Sequence, residues 1–379
     1  MARQHAEPPM QSHQILIGDC IDMMRTLPDE SVHTCITSPP YFGLRDYGVE
    51  GQIGLEETPA EFIQRLVEVF REVRRVLRKD GTAWVNMGDS YAGSWGAQGR
   101  PQGDGQMSGR SVTSARQINA SPRFRTGTGV RGRELGLKSK DLMGMPWRLA
   151  FALQEDGWYL RQDIIWNKKN PMPESVRDRC TKSHEYIFLL SKSRRYYFDQ
   201  EAILEPCSPN THARLAQDLQ NQIGSERANG GGKTNGTMKA VARKSNGVGW
   251  GHGTDAAKRQ RGRVKDNDSM DSALAIMPEL RNKRSVWDVP THSFKGAHFA
   301  TFPPDLIRPC VLAGCPRGGL VLDPFGGAGT TGVVAMQEGR RSILCELNPE
   351  YAALARARLD QAWIDGAAQM DMLLDQPAA

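Results

Sequence analysis

Two short segments of this 379-residue chain hold residue types that could do chemistry. The first is Thr37-Ser38-Pro39-Pro40-Tyr41. Consecutive prolines fix φ and remove two backbone donors, so the turn is stiff and offers bare carbonyls. Beside them stand a hydroxyl, Ser38, and an aromatic ring, Tyr41. Such a turn suits a planar ring bearing an NH₂ group. Ser38 Oγ and the Pro39 carbonyl would accept the amino hydrogens while Tyr41 stacks on the ring. A plain Pro-Pro turn capping a strand is the bland alternative. The second segment runs from Gly319 to Gly332 and contains Asp323-Pro324-Phe325-Gly326-Gly327-Ala328-Gly329-Thr330-Thr331. Glycines let a backbone approach a ligand closely, and a helix start behind them offers free N–H groups. Glu346 follows Gly327 by nineteen residues, where a carboxylate can accept hydrogen bonds from ribose hydroxyls.

Gly327-x-Gly329-x-x-Gly332 also matches the dinucleotide fingerprint, a weak pattern by itself, so a nicotinamide enzyme is a rival reading. A tight strand–helix turn without ligand is another. Asp323 places a negative charge expected at the mouth of the loop, which would repel a pyrophosphate but suit a cationic, amino-acid-bearing nucleoside. A dinucleotide domain would also need several further units after the loop, for which little chain remains.

Elements that could position these segments are legible as alternating strands and helices. Strands are predicted over 13–17, 32–37, 82–87, 160–167, 186–191, 320–323 and 342–346. Helices are predicted over 20–27, 58–78, 147–156, 329–338 and 349–360. The 58–78 segment has Phe62, Leu66, Val69, Val73, Val76 and Leu77 near a 3.6-residue period, with Asp80-Gly81 expected to stop it. The tail after Ile364 reads as frayed. Alternation of this kind predicts an α/β fold with a doubly wound, mostly parallel sheet.

Between these elements lie two polar stretches. Residues 92–141 hold nine Lys/Arg against three Asp/Glu, and residues 204–284 hold fourteen against eight. Each is +6 in a chain whose total is +6, so the remainder is net acidic. That asymmetry favours a polyanionic partner, with solvated linkers as the alternative. No apolar run is long enough to span a membrane, and the polar start at Met1–Gln14 gives no secretory signal. The seven cysteines form no Cys-x-x-Cys pair, so neither a metal site nor a disulfide framework is expected and a reducing cytoplasm fits.

Taken together, the two segments resemble the amino-group DNA methyltransferases, which act on cytosine N4 or adenine N6. Members carry an Asp/Asn/Ser-Pro-Pro-Tyr/Phe turn and a Phe-x-Gly-x-Gly loop. Here these are Ser38-Pro39-Pro40-Tyr41 and Phe325-Gly326-Gly327-Ala328-Gly329. The catalytic turn comes first and the cofactor loop last, as in the family's β arrangement. The resemblance covers about residues 13–91, 141–203 and 285–362. It implies a Rossmann-like fold in permuted order. Its two halves would be 13–203, carrying a basic insertion at 92–140, and 285–362. A target-recognition region would occupy 204–284, and a tail 363–379.

The resemblance also implies S-adenosylmethionine as methyl donor and double-stranded DNA as partner. Gly18-Asp19-Cys20 resembles the segment beside the cofactor's adenine ring, with Asp19 as the acceptor. His298-Phe-Ala-Thr301-Phe302-Pro303 is similar to the stretch beside its methionine end. Asp323, Pro324, Phe325, Gly327, Gly329, Thr330, Thr331 and Glu346 would complete the cofactor site. Arg161 to Lys168 with Pro171, and Arg284 to Pro290, are similar to segments flanking the recognition region. Serine at the first catalytic position leans toward cytosine N4, with adenine N6 as the alternative; RNA or protein amino-methylation is more remote. DNA contacts are expected from Arg123, Arg125 and Arg131 in the first insertion and from Lys258, Arg259, Arg261 and Arg263 in the second. A homodimer and a cognate restriction nuclease are compatible partners of such a prokaryotic or phage-encoded enzyme, and no membrane partner is expected.

Overall fold

The protein is described from a computed structural model. It describes residues 12–43, 48–92, 138, 140–171, 173–207, 280–291 and 302–374. The chain divides into two units, one of residues 1–203 with 284–379 and one of residues 204–283. In order along the first unit come β1 (His13–Ile17), α1 (Cys20–Arg25), β2 (Val32–Thr37), α2 (Pro59–Val76), β3 (Leu77–Met87), α3 (Met145–Glu155), β4 (Tyr159–Asn167) and β5 (His184–Ser191). In the second unit β6 (Glu205–Pro206) pairs antiparallel with β7 (Leu280–Arg281), where Arg281 Nε donates to Glu205 Oε1 at 3.0 Å. The first unit resumes with β8 (Val286–Asp288), α4 (Pro304–Gly314), β9 (Leu320–Asp323), α5 (Thr330–Gln337), β10 (Arg341–Glu346) and α6 (Pro349–Leu374).

Eight strands form one sheet in the order β1-β10-β9-β2-β3-β5-β4-β8. From β1 to β3 every neighbour is parallel. β5 is antiparallel to both β3 and β4, and β8 is parallel to β4, so β5 alone is reversed. Side chains alternate between faces with period two. Cys35, Ala83, Val85 and Phe188 join a core against α1, α2 and α3, while Ile36, Trp84, Ile187 and Leu189 join another against α4 and α5. The sheet is therefore covered on both faces, as the β-α alternation predicts.

Local chemistry fixes the helix that most depends on its start. Thr58 caps α2 with a capping box: its hydroxyl accepts from Glu61 N–H and its own N–H donates to Glu61 Oε2, each at 3.1 Å. Pro59 opens the helix, and Phe62, Leu66, Val69, Phe70 and Val73 are fully buried along one stripe. The helix ends earlier than its breaker residues suggest. Leu77 already has extended backbone and begins β3, while Asp80-Gly81 lies inside that strand. There the β2–β3 register jumps, since Val32 pairs with Leu77 but Thr34 with Thr82. Helix α6 runs fourteen residues past the predicted end at 360, to Leu374. Helix α4, which contains Pro309, is missed by sequence patterning because Pro303, Pro304 and Pro309 read as breakers. Among the described residues no helix is long and apolar enough to cross a membrane.

Candidate active site

Parallel strands end at one edge of a sheet, and ligands of such folds gather where the strand order reverses. Here β9 continues to β10 on one side and β2 to β3 on the other. The register pairs Thr34 with Val321 and Cys35 with Leu322, which brings Thr37 and Asp323 side by side at the same edge. Thr37 Oγ1 donates to Asp323 Oδ1 at 2.6 Å, a bond spanning 286 residues of sequence. The Ser38 turn follows the first of these residues and the glycine loop follows the second. One hydrogen bond thus ties the two motifs at their roots.

Asp323 is not at the mouth of its loop, as the charge argument expects. It is 1% exposed. Its carboxylate also accepts from Phe325 N–H at 3.0 Å and from Thr331 Oγ1 at 2.6 Å. Thr331 is buried and serves Asp323. Burial pushes the Asp323 carboxyl up to about 6, against the three donors that favour its charged form.

The loop itself is cinched to β10. Gly326 N–H donates to Cys345 O at 2.8 Å, and Gly329 N–H to Gly326 O at 2.8 Å. A Cβ on Gly326 would sit 2.8 Å from Leu344 Cβ, so no side chain fits there. Gly329, with φ +78°, caps α5. Arg358 Nη1 of α6 donates to Ala328 O and to Thr330 Oγ1. Glu346, at the end of β10, accepts from Gly327 N–H at 2.7 Å and Asn348 N–H at 2.9 Å. Burial raises its pKa. Each carboxylate oxygen keeps a further lone pair for a ligand.

One cavity joins these parts. The turn Ser38-Pro39-Pro40-Tyr41 lines it at one side. Pro324 to Ala328, Thr330 and Glu346 line the other. Gly18, Asp19 and Cys20 close the β1 end, and Phe302 reaches in ahead of α4. Asp323 also lines the cavity, whereas Gly329 and Thr331 do not. Sequence reading missed Val49, Gln52 and Ile53, which follow the turn, and Asn348 and Tyr351 at the start of α6. Asn348-Pro349 is a helix-start signal that could have flagged the last pair.

Asp19 has a second duty that the sequence did not reveal. It is the N-cap of α1, its Oδ1 accepting from Ile21 N–H at 2.9 Å and Asp22 N–H at 3.2 Å. Burial pushes the neighbouring Cys20 thiol up to about 12, so it stays protonated. Thr301 lies outside the described residues, as do Arg123, Arg125, Arg131, Lys258, Arg259, Arg261 and Arg263.

Behind the turn lies a polar cluster that no local motif announces. Tyr41 Oη donates to Glu185 Oε2 at 2.9 Å. Glu185 Oε1 pairs with Lys168 Nζ at 2.5 Å. Tyr41 lines the cavity, while its hydroxyl is buried and its pKa stands well above the phenol range. Desolvation is the main cause, and the Glu185 charge adds to it.

A mostly parallel sheet with one reversed strand, a glycine loop and an acidic strand end facing a Pro-Pro turn define a Rossmann-like methyltransferase. The fold matches that of a solved cytosine-N4-specific PvuII DNA methyltransferase, with a TM-score of 0.51 at 17% identity, covering 92% of this chain and 86% of that one. Residues 32–357 match the DNA methylase model of the N6/N4 class, and the chain belongs to that family.

The Type II methyltransferase M.XycI of Xanthomonas campestris pv. cyanopsidis is 43% identical over 342 residues, 90% of this chain and 86% of that protein. M.Cfr9I of Citrobacter freundii is 42% identical over 357 residues, 94% and 91% of the two chains. M.SmaI of Serratia marcescens is 42% identical over 353 residues, 93% and 92%. The protein is accordingly a Type II DNA methyltransferase of the amino-methylating class.

Proposed function

We propose that this enzyme transfers a methyl group to cytosine N4 of a base extruded from duplex DNA. The single observation that supports this reading most is the shared cavity of Ser38-Pro39-Pro40-Tyr41 and the glycine loop. S-adenosylmethionine supplies a methyl group on a positively charged sulfur. The cradle fits such a donor. Gly326 packs the loop tightly against β10, and Glu346 retains acceptor capacity for ribose hydroxyls. Asp19, Cys20 and Phe302 line the remaining walls.

The chain's own residues then do three things. Ser38 Oγ and the Pro39 carbonyl accept the amino hydrogens, which draws the nitrogen toward sp³ geometry and bares its lone pair. Tyr41 supports the ring face. The stiff turn holds both in one orientation, so the rate arises from positioning and charge placement. The protonated Cys20 thiol is no nucleophile, consistent with direct transfer.

Extrusion of the base costs a few kcal/mol. Residues 92–140 and 204–284 carry the excess positive charge to hold the duplex while the base is out. We assign target recognition to 204–284, and a prokaryotic cytoplasm as the setting. Ser38 at the first catalytic position favours cytosine N4 over adenine N6 by its resemblance to the family branch that often carries Ser-Pro-Pro-Tyr; a neutral serine also polarises an amine less than a carboxylate would. Nucleoside digestion of DNA from cells expressing the protein tests this. N4-methylcytosine is expected; N6-methyladenine alone would overturn the base assignment.

A further inference from the structure

The phenol of Tyr41 is held by Glu185 of β5, whose carboxylate is in turn held by Asn86 of β3 and by Lys168. Besides the Glu185 bond at 2.9 Å, Asn86 Nδ2 of β3 donates to the same carboxylate oxygen at 3.3 Å and to Tyr186 O at 3.1 Å. Lys168, just past the end of β4, holds the other oxygen at 2.5 Å, and its ammonium stands 4.7 Å from the centre of the Trp166 ring. The Glu185 and Lys168 side chains are only 14% and 22% exposed. Gly88 completes the seat, since a Cβ there would lie 2.9 Å from Tyr41 Cε2 and 3.2 Å from Glu185 Cδ.

An ion pair withdrawn this far from water contributes little net stability, because desolvation offsets the attraction. A hydrophobic partner would serve as well if Tyr41 merely filled space. What the carboxylate adds is direction. It fixes the phenol at its far end, so the ring cannot tilt when an unstacked base arrives. A platform ordered in advance spares the entropy of ordering it during the reaction.

We infer that Glu185, held by Lys168, is a positioning residue that locks the Tyr41 ring in the orientation the target base requires. This rests on the reading of Tyr41 as the base's support. Two substitutions probe it in the full-length protein, Tyr41→Phe, which removes one oxygen and keeps the ring, and Glu185→Gln, which keeps the shape. Single-turnover methyl transfer to duplex DNA should fall about tenfold in each, the worth of one hydrogen bond to a charged group. The dissociation constant for S-adenosylmethionine should stay unchanged. The double variant Tyr41→Phe/Glu185→Gln should be no slower than Tyr41→Phe alone, because without the hydroxyl Glu185 has nothing left to hold.

Wild-type transfer by Tyr41→Phe would overturn the inference, as would losses that multiply in the double variant. Should Glu185→Gln fail to fold, Tyr41→Phe still decides by its rate against unchanged cofactor binding. Tyr41→Ala separates the two levels. If it transfers at the wild-type rate, the base-support reading itself fails. If Tyr41→Ala is inactive while Tyr41→Phe is normal, only the anchoring role is lost.

Discussion

Asp323 joins the two motif-bearing strands, and its titration can be isolated. Burial pushes its carboxyl from 3.8 to about 6, and the folded protein therefore prefers the protonated form. A carboxyl whose pKa rises on folding contributes stability below its unfolded pKa, and loses it as pH climbs through the folded pKa. The difference between 3.8 and about 6 corresponds to ~3 kcal/mol at about 1.4 kcal/mol per pH unit. Asp323→Asn stays neutral throughout. The carboxamide keeps an acceptor for Thr37 and Phe325 N–H and must turn its NH₂ toward Thr331 Oγ1, a cost independent of pH. Relative to wild type, the variant should therefore gain ~3 kcal/mol between pH 3 and pH 7. Taking the difference matters, because His13 titrates in the same range with the opposite sign. Urea denaturation followed by far-ultraviolet circular dichroism at half-unit pH steps would measure it. A stability difference that stays constant within about 0.5 kcal/mol, well below the ~3 kcal/mol expected, would refute the assignment of Asp323 as a buried carboxyl charged at the cost of folding.

Three further outcomes are expected. Gly326→Ala would drive a methyl group to 2.8 Å from Leu344 Cβ, displacing the loop at about 1–3 kcal/mol; titration calorimetry should show S-adenosylmethionine affinity reduced about tenfold or more. His13, pushed down to about 4 by burial, is held neutral against Ser342 in the β1–β10 pair. Its contribution is present above pH 6.5 and lost as pH falls toward 4, so His13→Gln should flatten the acid limb of the stability curve. Thr58→Ala removes the capping box of α2 and should lower the urea-unfolding free energy by about 1 kcal/mol without changing methyl transfer.

Periodicity and punctuation carried most of the fold. The α2 stripe, the strand–turn–helix of the glycine loop and the Pro-Pro turn are each local signals, and each lies where patterning puts it. The reversed direction of β5 was not legible, because an apolar run such as Tyr186 to Ser191 reads the same in either direction. That reversal sets Glu185 beside Asn86 and near Tyr41, 144 residues away, so the cluster behind the turn had no sequence signature. The motif residues themselves were legible, but their duties were not. Asp323 reads as a charge at the mouth of the loop and is a buried junction that still lines the cavity, and Asp19 reads as a ligand acceptor and also caps a helix. These duties depend on which backbone groups the fold leaves unpaired, and that is settled by packing.

The most direct measurement pairs two readings on one preparation. Binding of S-adenosylmethionine and single-turnover transfer of its tritiated methyl group to duplex DNA are followed for the wild type and for Ser38→Ala/Tyr41→Ala. Both proteins should bind the donor within about twofold of each other, and only the wild type should label DNA, since the substitutions strip the groups that hold the amine and leave the glycine cradle intact. Labelling by the double variant, or failure of the wild type to bind the donor, would contradict the convergence of turn and loop on one reaction.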